Sequence, residues 1–128
     1  MRHSVIADMF SIIKNAEDLG KSECSVPASN LVKAILSVME RHEYIKSYEL
    51  LDDGRNGKFI VRLVRRINDC NVISPQYSVK KDNIMKYEKR YLPAAGTGIL
   101  ILSTSKGVID HKDARSAGIG GKLLGFVY

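Results

Sequence analysis

A chain of 128 residues with 45% hydrophobic side chains can fill one ordinary core, or two small lobes sharing an interface, which excludes a disordered tail. Lys and Arg number 20 against 14 Asp and Glu, giving a net charge of +6 and a pI near 9.4, so a polyanionic partner is favoured. No N-terminal basic stretch leads into an apolar region, and no run approaches the roughly 18 apolar residues of a membrane span, which predicts neither secretion nor membrane insertion.

In chain order, Ser4 is placed to cap a helix whose apolar residues Val5, Ile6, Met9, Ile12, Ile13 and Ala16 recur at helical spacing, with Gly20 placed to end it. A short β-like piece from Cys24 to Val26 follows. Pro27 and Ser29 then introduce a second helix with Leu31, Val32, Ile35, Leu36 and Met39 on its buried side. Its leading end, with Ser29, Asn30 and Lys33, is also suited to an anion. Ile45 to Leu51 and Lys58 to Val64 read as hairpin strands joined through the turn-rich Asp52-Asp53-Gly54-Arg55-Asn56-Gly57. Adjacent carboxylates before a glycine are turn formers, so Asp52 and Asp53 receive no catalytic role.

From Arg65 to Pro75 the periodicity disappears, which predicts a boundary between lobes. Beyond it the pattern gives a strand near Tyr77 to Val79, a charged helical stretch from Asp82 to Tyr91, and the strand Gly98 to Leu102. Asp110 is then placed to cap a short helix, with Asp113 as a weak capping-box partner, before Gly118 ends it and Lys122 to Tyr128 forms a last strand. The expectation is an α+β protein: an α-β-α-β-β lobe over residues 1–66, and a mainly β lobe with a short helix over residues 67–128.

The basic excess is uneven. Residues 1–66 carry 11 Lys or Arg against 9 Asp or Glu, and residues 67–128 carry 9 against 5, so the polyanion is expected at the second lobe. Cys24 and Cys70 form no CxxC pair, and His3, His42 and His111 lie apart from them and from one another. Neither a metal site nor a disulfide framework is indicated, no cofactor is expected, and the histidines read as exposed or helix-end residues. A reduced, intracellular compartment fits best.

Ser103-Thr104-Ser105-Lys106-Gly107, delivered by the apolar run Ile99-Leu100-Ile101-Leu102, is the most informative stretch. Its hydroxyls can donate and accept, which suits base edges, phosphate oxygens and ribose 2′-hydroxyls, and Lys106 adds a charge. The bland alternative is a hydroxyl-rich turn that satisfies its own backbone. Ser103 and Lys106 also spell S-x-x-K, the nucleophile signature of penicillin-recognising hydrolases, but the partner motifs S-D-N and K-T-G are missing and Gly107 breaks any helix there. Gly118-x-Gly120 lacks the third glycine of a dinucleotide fingerprint, since Leu123 stands in its place, and Gly20-Lys21-Ser22 lacks the first glycine of a phosphate loop. Gly120 and Gly121 therefore read as turn residues that could also admit an RNA backbone. Tyr91, like Tyr87, lies among Lys80, Lys81, Lys86, Lys89 and Arg90, where a ring can either pack or stack on an unpaired base.

The segment STSKGVIDHKDARSAGIGGKLLGFVY closely resembles the C-terminal signature of the universal small-subunit ribosomal protein family numbered eight, in its archaeal and eukaryotic branch. The resemblance continues through Ile13-Lys14-Asn15-Ala16-Glu17, Pro27-Ala28-Ser29, Asp52-Asp53-Gly54-Arg55, Arg66-Ile67-Asn68, Val72-Ile73-Ser74-Pro75 and Lys89-Arg90-Tyr91-Leu92-Pro93-Ala94, covering essentially the whole chain. It departs at Asn56, Asn71 and Gln76. The resemblance implies a non-enzymatic constituent of the small ribosomal subunit, a primary rRNA-binding protein that recognises an irregular helix with an internal loop and organises the central domain. It further implies neighbouring ribosomal proteins as partners and no small-molecule substrate. RNA contacts carry over to Ser103, Thr104, Ser105, Lys106 and Gly107, to Gly120, Gly121 and Lys122, and, in the first lobe, to Lys14, Asn15, Ser29, Lys33, Arg55 and Lys58. Because bacterial members also repress their own operon, a regulatory messenger-RNA-binding role is the rival binding function.

Overall fold

The computed structural model describes residues 5–51, 57–73, 77–94 and 96–128. The first half comprises α1 (Val5–Asp18), β1 (Glu23–Pro27), α2 (Asn30–Arg41), β2 (Ile45–Leu51) and β3 (Lys58–Leu63), in the expected α-β-α-β-β order. The second comprises β4 (Cys70–Val72), β5 (Ser78–Val79), a 3-10 turn Lys81–Asn83 leading into α3 (Ile84–Tyr91), β6 (Ile99–Thr104), β7 (Gly107–Asp110), α4 (His111–Ala117) and β8 (Gly121–Val127). One antiparallel sheet is ordered β1-β3-β2; the other is β4-β8-β6-β7, with β5 also on β8. This is the expected α+β fold in two small lobes. The expected Ser4 cap, most of the Asp52 to Gly57 turn, and His3 lie outside the described residues.

α1 buries Ile6, Met9, Phe10, Ile13 and Ala16, one stripe at intervals of three and four. On α2 the buried set is Val32, Ile35, Leu36, Val38 and Met39, whereas Leu31, expected inside, is 37% exposed. It stands one residue, about 100°, away from the Val32-Ile35-Leu36-Met39 stripe. Two strands differ from the expectation. β4 occupies the stretch that reads as aperiodic, and β7 begins at the glycine of the hydroxyl segment, so Ser103 and Thr104 end a strand and do not float in a loop.

β6 is apolar along most of its length because both faces of its sheet are covered. Ile99 and Ile101 join a core with α1, α2 and the first sheet, while Leu100 and Leu102 join another with α3 and α4. On β8 the register slips by one opposite Ile101 and Leu102, which pair with Gly125 and Leu123. The extra residue, Leu124, turns into the first core beside Val127. A Cβ on Gly125 would lie 2.5 Å from Cε2 of Phe10, so the α1 ring packs directly on the second sheet. The first core therefore runs unbroken from one half of the chain to the other.

Polar ties cross the same junction. Lys14 Nζ lies 2.9 Å from Asp69, Arg41 lies 3.6 Å from Asp113, and His42 Nε2 stands 2.5 Å from the buried Asp110 carboxylate. Cys24 and Cys70 are free thiols, and burial pushes them up to about 11 and about 12. Burial thus disfavours the reactive thiolate form of both. No helix among the described residues is long and apolar enough to cross a membrane.

Candidate nucleic-acid interface

Register decides which side chains meet at the end of the second sheet. Ser78 on β5 stands directly opposite Lys122 on β8, and Lys122 directly opposite Ser103 on β6. Residues so paired share one face with Cβ atoms about 5 Å apart, so a lysine is flanked by a hydroxyl on each side. This row lies in a shallow groove of about 580 Å³ that also takes in Val79, Lys80, Thr104, Ser105, Gly120 and Gly121. Among the described residues no acidic side chain lines it. Lys80, Lys106 and Lys122 are exposed and have no acidic partner among the described residues.

The hydroxyls divide into two kinds. Thr104 Oγ1 donates to the Gly107 carbonyl at 2.7 Å and accepts from the Lys106 backbone N–H at 3.1 Å, so it closes the β6-β7 turn. Gly107 has φ +102°, a conformation other residues rarely adopt, which lets that two-residue connection return as a strand. Ser103 and Ser105 hydroxyls have no hydrogen-bond partner among the described residues, Ser103 half-buried in the groove and Ser105 exposed. Thr104 thus satisfies its own turn while also lining the groove. For the two serines the groove leaves hydrogen-bonding capacity open.

Gly120 and Gly121 line the groove for an internal reason. A Cβ on Gly120 would collide with the Val79 carbonyl and stand 2.9 Å from Lys80 Cα; one on Gly121 would collide with the Ser103 carbonyl and stand 2.8 Å from Thr104 Cγ2. Their missing side chains are used by neighbouring protein backbone. α4, capped by Asp110 Oδ1 accepting from Asp113 N–H at 2.9 Å and ended by left-handed Gly118, sets where these glycines re-enter the sheet. Asp113 does not complete a capping box; its side chain faces Arg41.

The remaining expected residues lie elsewhere. Lys14 is committed to Asp69, and Asn15 is exposed on α1. Ser29 caps α2, its Oγ accepting from Val32 N–H at 3.1 Å, and with Lys33 it lines a separate groove of about 460 Å³. Lys58 is exposed at the start of β3, and Arg55 lies outside the described residues. Tyr91 stacks on Phe126 at 5.8 Å, which stacks in turn on Tyr128 at 6.0 Å, while Arg90 lies over the Tyr91 and Tyr77 rings. Tyr91 is thus a half-buried packing ring within the chain. Conversely, Ser78 and Lys80 join the groove although sequence reasoning did not single them out as site residues; the basic run pointed to Lys80, but only long-range register pairs Ser78 with Lys122.

The S-x-x-K reading fails on geometry. Ser103 sits in a strand and Lys106 in a hairpin turn, whereas the hydrolase motif needs one helical turn to bring lysine onto serine. His111, expected exposed or at a helix end, begins α4 but is 1% exposed. Its Nδ1 accepts from Leu100 N–H at 3.0 Å and its Nε2 lies 2.9 Å from Glu88, which also holds Arg115 at 2.7 Å. Burial holds the His111 imidazolium below its ordinary range. Among the described residues no group of histidine, cysteine, aspartate and glutamate could hold a metal ion.

A family model described as ribosomal protein S8 matches residues 4–128. The small ribosomal subunit protein uS8 of Picrophilus torridus is 51% identical over 129 residues, covering all of both chains. The proteins of that name from Methanosphaerula palustris and Thermoplasma volcanium are 52% and 50% identical, over 98% or more of each chain. The match spans both lobes, and the chain belongs to the ribosomal protein S8 family.

Proposed function

We propose that the chain is a structural, non-catalytic constituent of the small ribosomal subunit, and that its hydroxyl groove binds rRNA at an irregular helix with an internal loop, helping to organise the central domain. The observation that carries this reading is the in-register row Ser78, Lys122, Ser103, flanked by Lys80 and, among the described residues, free of acidic side chains. Serine hydroxyls at fixed spacing can donate or accept toward base edges and 2′-hydroxyls, while the lysines neutralise phosphate. The relatives' names supply the ribosomal setting. In this reading residues 67–128 recognise the RNA. Residues 1–66 add affinity through Lys33 and Lys58 and present surface to neighbouring ribosomal proteins, all in the cytoplasm where ribosomes work.

The test is affinity for an rRNA fragment carrying the internal loop, against a plain duplex of equal length. Ser103→Ala and Ser105→Ala are each expected to weaken cognate binding by about 1 to 3 kcal/mol with an unchanged melting curve. If both bind as tightly as the parent, the groove is not the recognition surface. With roughly four to six phosphates neutralised, the slope of log affinity against log salt should be about −3 to −5, and Lys122→Ala should flatten it.

A further inference from the structure

The outer face of the second lobe holds another groove, of about 460 Å³, between α3 and α4 and sharing no residue with the hydroxyl groove. Its floor and one side are aliphatic: Met85, Leu92, Pro93 and Ala94. Met85 is 52% exposed, although it lies on the side of α3 turned toward that groove. Lys89 and Lys112 stand at its border, exposed and without an acidic partner among the described residues.

Glu88, the carboxylate that lines this groove, is 9% exposed and already held by Arg115 and His111, so it does not offset the two lysines. The same contacts bolt α3 to α4, and the Ala94–Thr97 bridge fixes the turn after Leu92. The walls are therefore set before anything binds, which lowers the ordering cost of association.

We infer that this groove docks a protein segment in which aliphatic side chains are flanked by carboxylates, the aliphatic groups covering the exposed Met85, Pro93 and Ala94 and the carboxylates meeting Lys89 and Lys112. The inference rests on the reading that RNA occupies the hydroxyl groove, and it names the chemistry of one protein neighbour. The lining favours protein over RNA here. Its floor offers neither an aromatic ring to stack on a base nor a hydroxyl to read one, and it leaves a contiguous aliphatic surface that an uncharged side chain would cover. Charge complementarity at the rim selects an acidic flank and excludes a basic one.

Fluorescence anisotropy with the full chain tests this, using a short fluorescein-labelled peptide of leucines flanked by aspartates and glutamates. A peptide with lysine in place of every acid serves as the comparison. The acidic peptide is expected to bind, to weaken about tenfold in Met85→Ser and in Lys112→Glu, and to shift the Met85 methyl resonance of the unmodified chain. The lysine peptide should not bind. Equal binding of both peptides, an unmoved Met85 methyl, or no loss in either variant overturns the assignment. Affinity for the rRNA fragment is measured on the same samples and should stay unchanged in Met85→Ser. If that affinity falls instead, the groove belongs to the RNA surface and the docking assignment is wrong. If peptide binding fails while rRNA binding persists, only this inference falls.

Discussion

His111 is held as a neutral ring by what touches it. The Leu100 N–H needs a lone pair on Nδ1, so the ring proton sits on Nε2 and is donated to Glu88. Desolvation outweighs the attraction of Glu88 and Asp110, with Arg115 and Lys112 adding repulsion, and the folded imidazole titrates below its ordinary 6.5. As pH falls, the unfolded chain therefore takes up this proton first. The stability contributed by the ring is complete above about 6.5 and declines as pH drops through the lower folded value. Urea melts from neutral to mildly acidic pH should show that decline, and His111→Gln should flatten it while costing about 1 to 3 kcal/mol at neutral pH through the unpaired Leu100 N–H and Glu88. The three hydroxyls should separate just as cleanly: Thr104→Ala is expected to lower stability by about 1 kcal/mol because two backbone groups lose their partner, whereas Ser103→Ala and Ser105→Ala should leave the melting temperature unmoved. The chemistry of this segment was legible in its residue types. Which hydroxyl was spent inside the turn was not, since Ser and Thr are equivalent until the backbone positions them.

Elements with their own local signals could be read from the chain. α1 and α2 carry the 3.6-residue stripe, and Ser29 sits where a cap belongs. Ser29→Ala should cost about 1 kcal/mol, measurable by denaturant unfolding, with Ser29→Asn restoring most of it. β4 could not be read. Three residues carry no periodicity, and its strand state comes from β8, more than fifty residues away, through the pairs Cys70–Val127, Asn71–Phe126 and Val72–Gly125. β7 was hidden for a related reason: at a sheet edge its four residues run from exposed Gly107 through half-buried Val108 and Ile109 to buried Asp110, so no alternation marks them. The glycine-rich stretch before β8 was legible as a turn, but its tight seating was not, because the colliding atoms belong to Val79 and Ser103. Gly121→Ala should therefore lower stability by about 1 to 3 kcal/mol and lose rRNA binding in the same measurement.

At the scale of the whole chain, one core spans both halves. Phe10, Cys70, Ile99, Ile101, Leu124 and Val127 belong to the same buried cluster, so the sequence boundary near residue 66 separates sheets without separating cores. Phe10→Ala should cost about 3 to 5 kcal/mol, and the loss should appear in a single transition when probes in the two lobes are followed together. The composition pointed to enough apolar residues for this but not to their sharing, because the stripe on α1 gives no hint that its ring meets Gly125. β8 adds a consequence in time. It pairs with β4, β5 and β6 and is the last element in chain order, so during synthesis the second sheet has no centre until residues 121–127 clear the exit tunnel. Until then Lys122 is absent from the row and Ser78 and Ser103 have no common neighbour. Before that point the nascent chain can complete neither its second sheet nor the groove that the sheet carries.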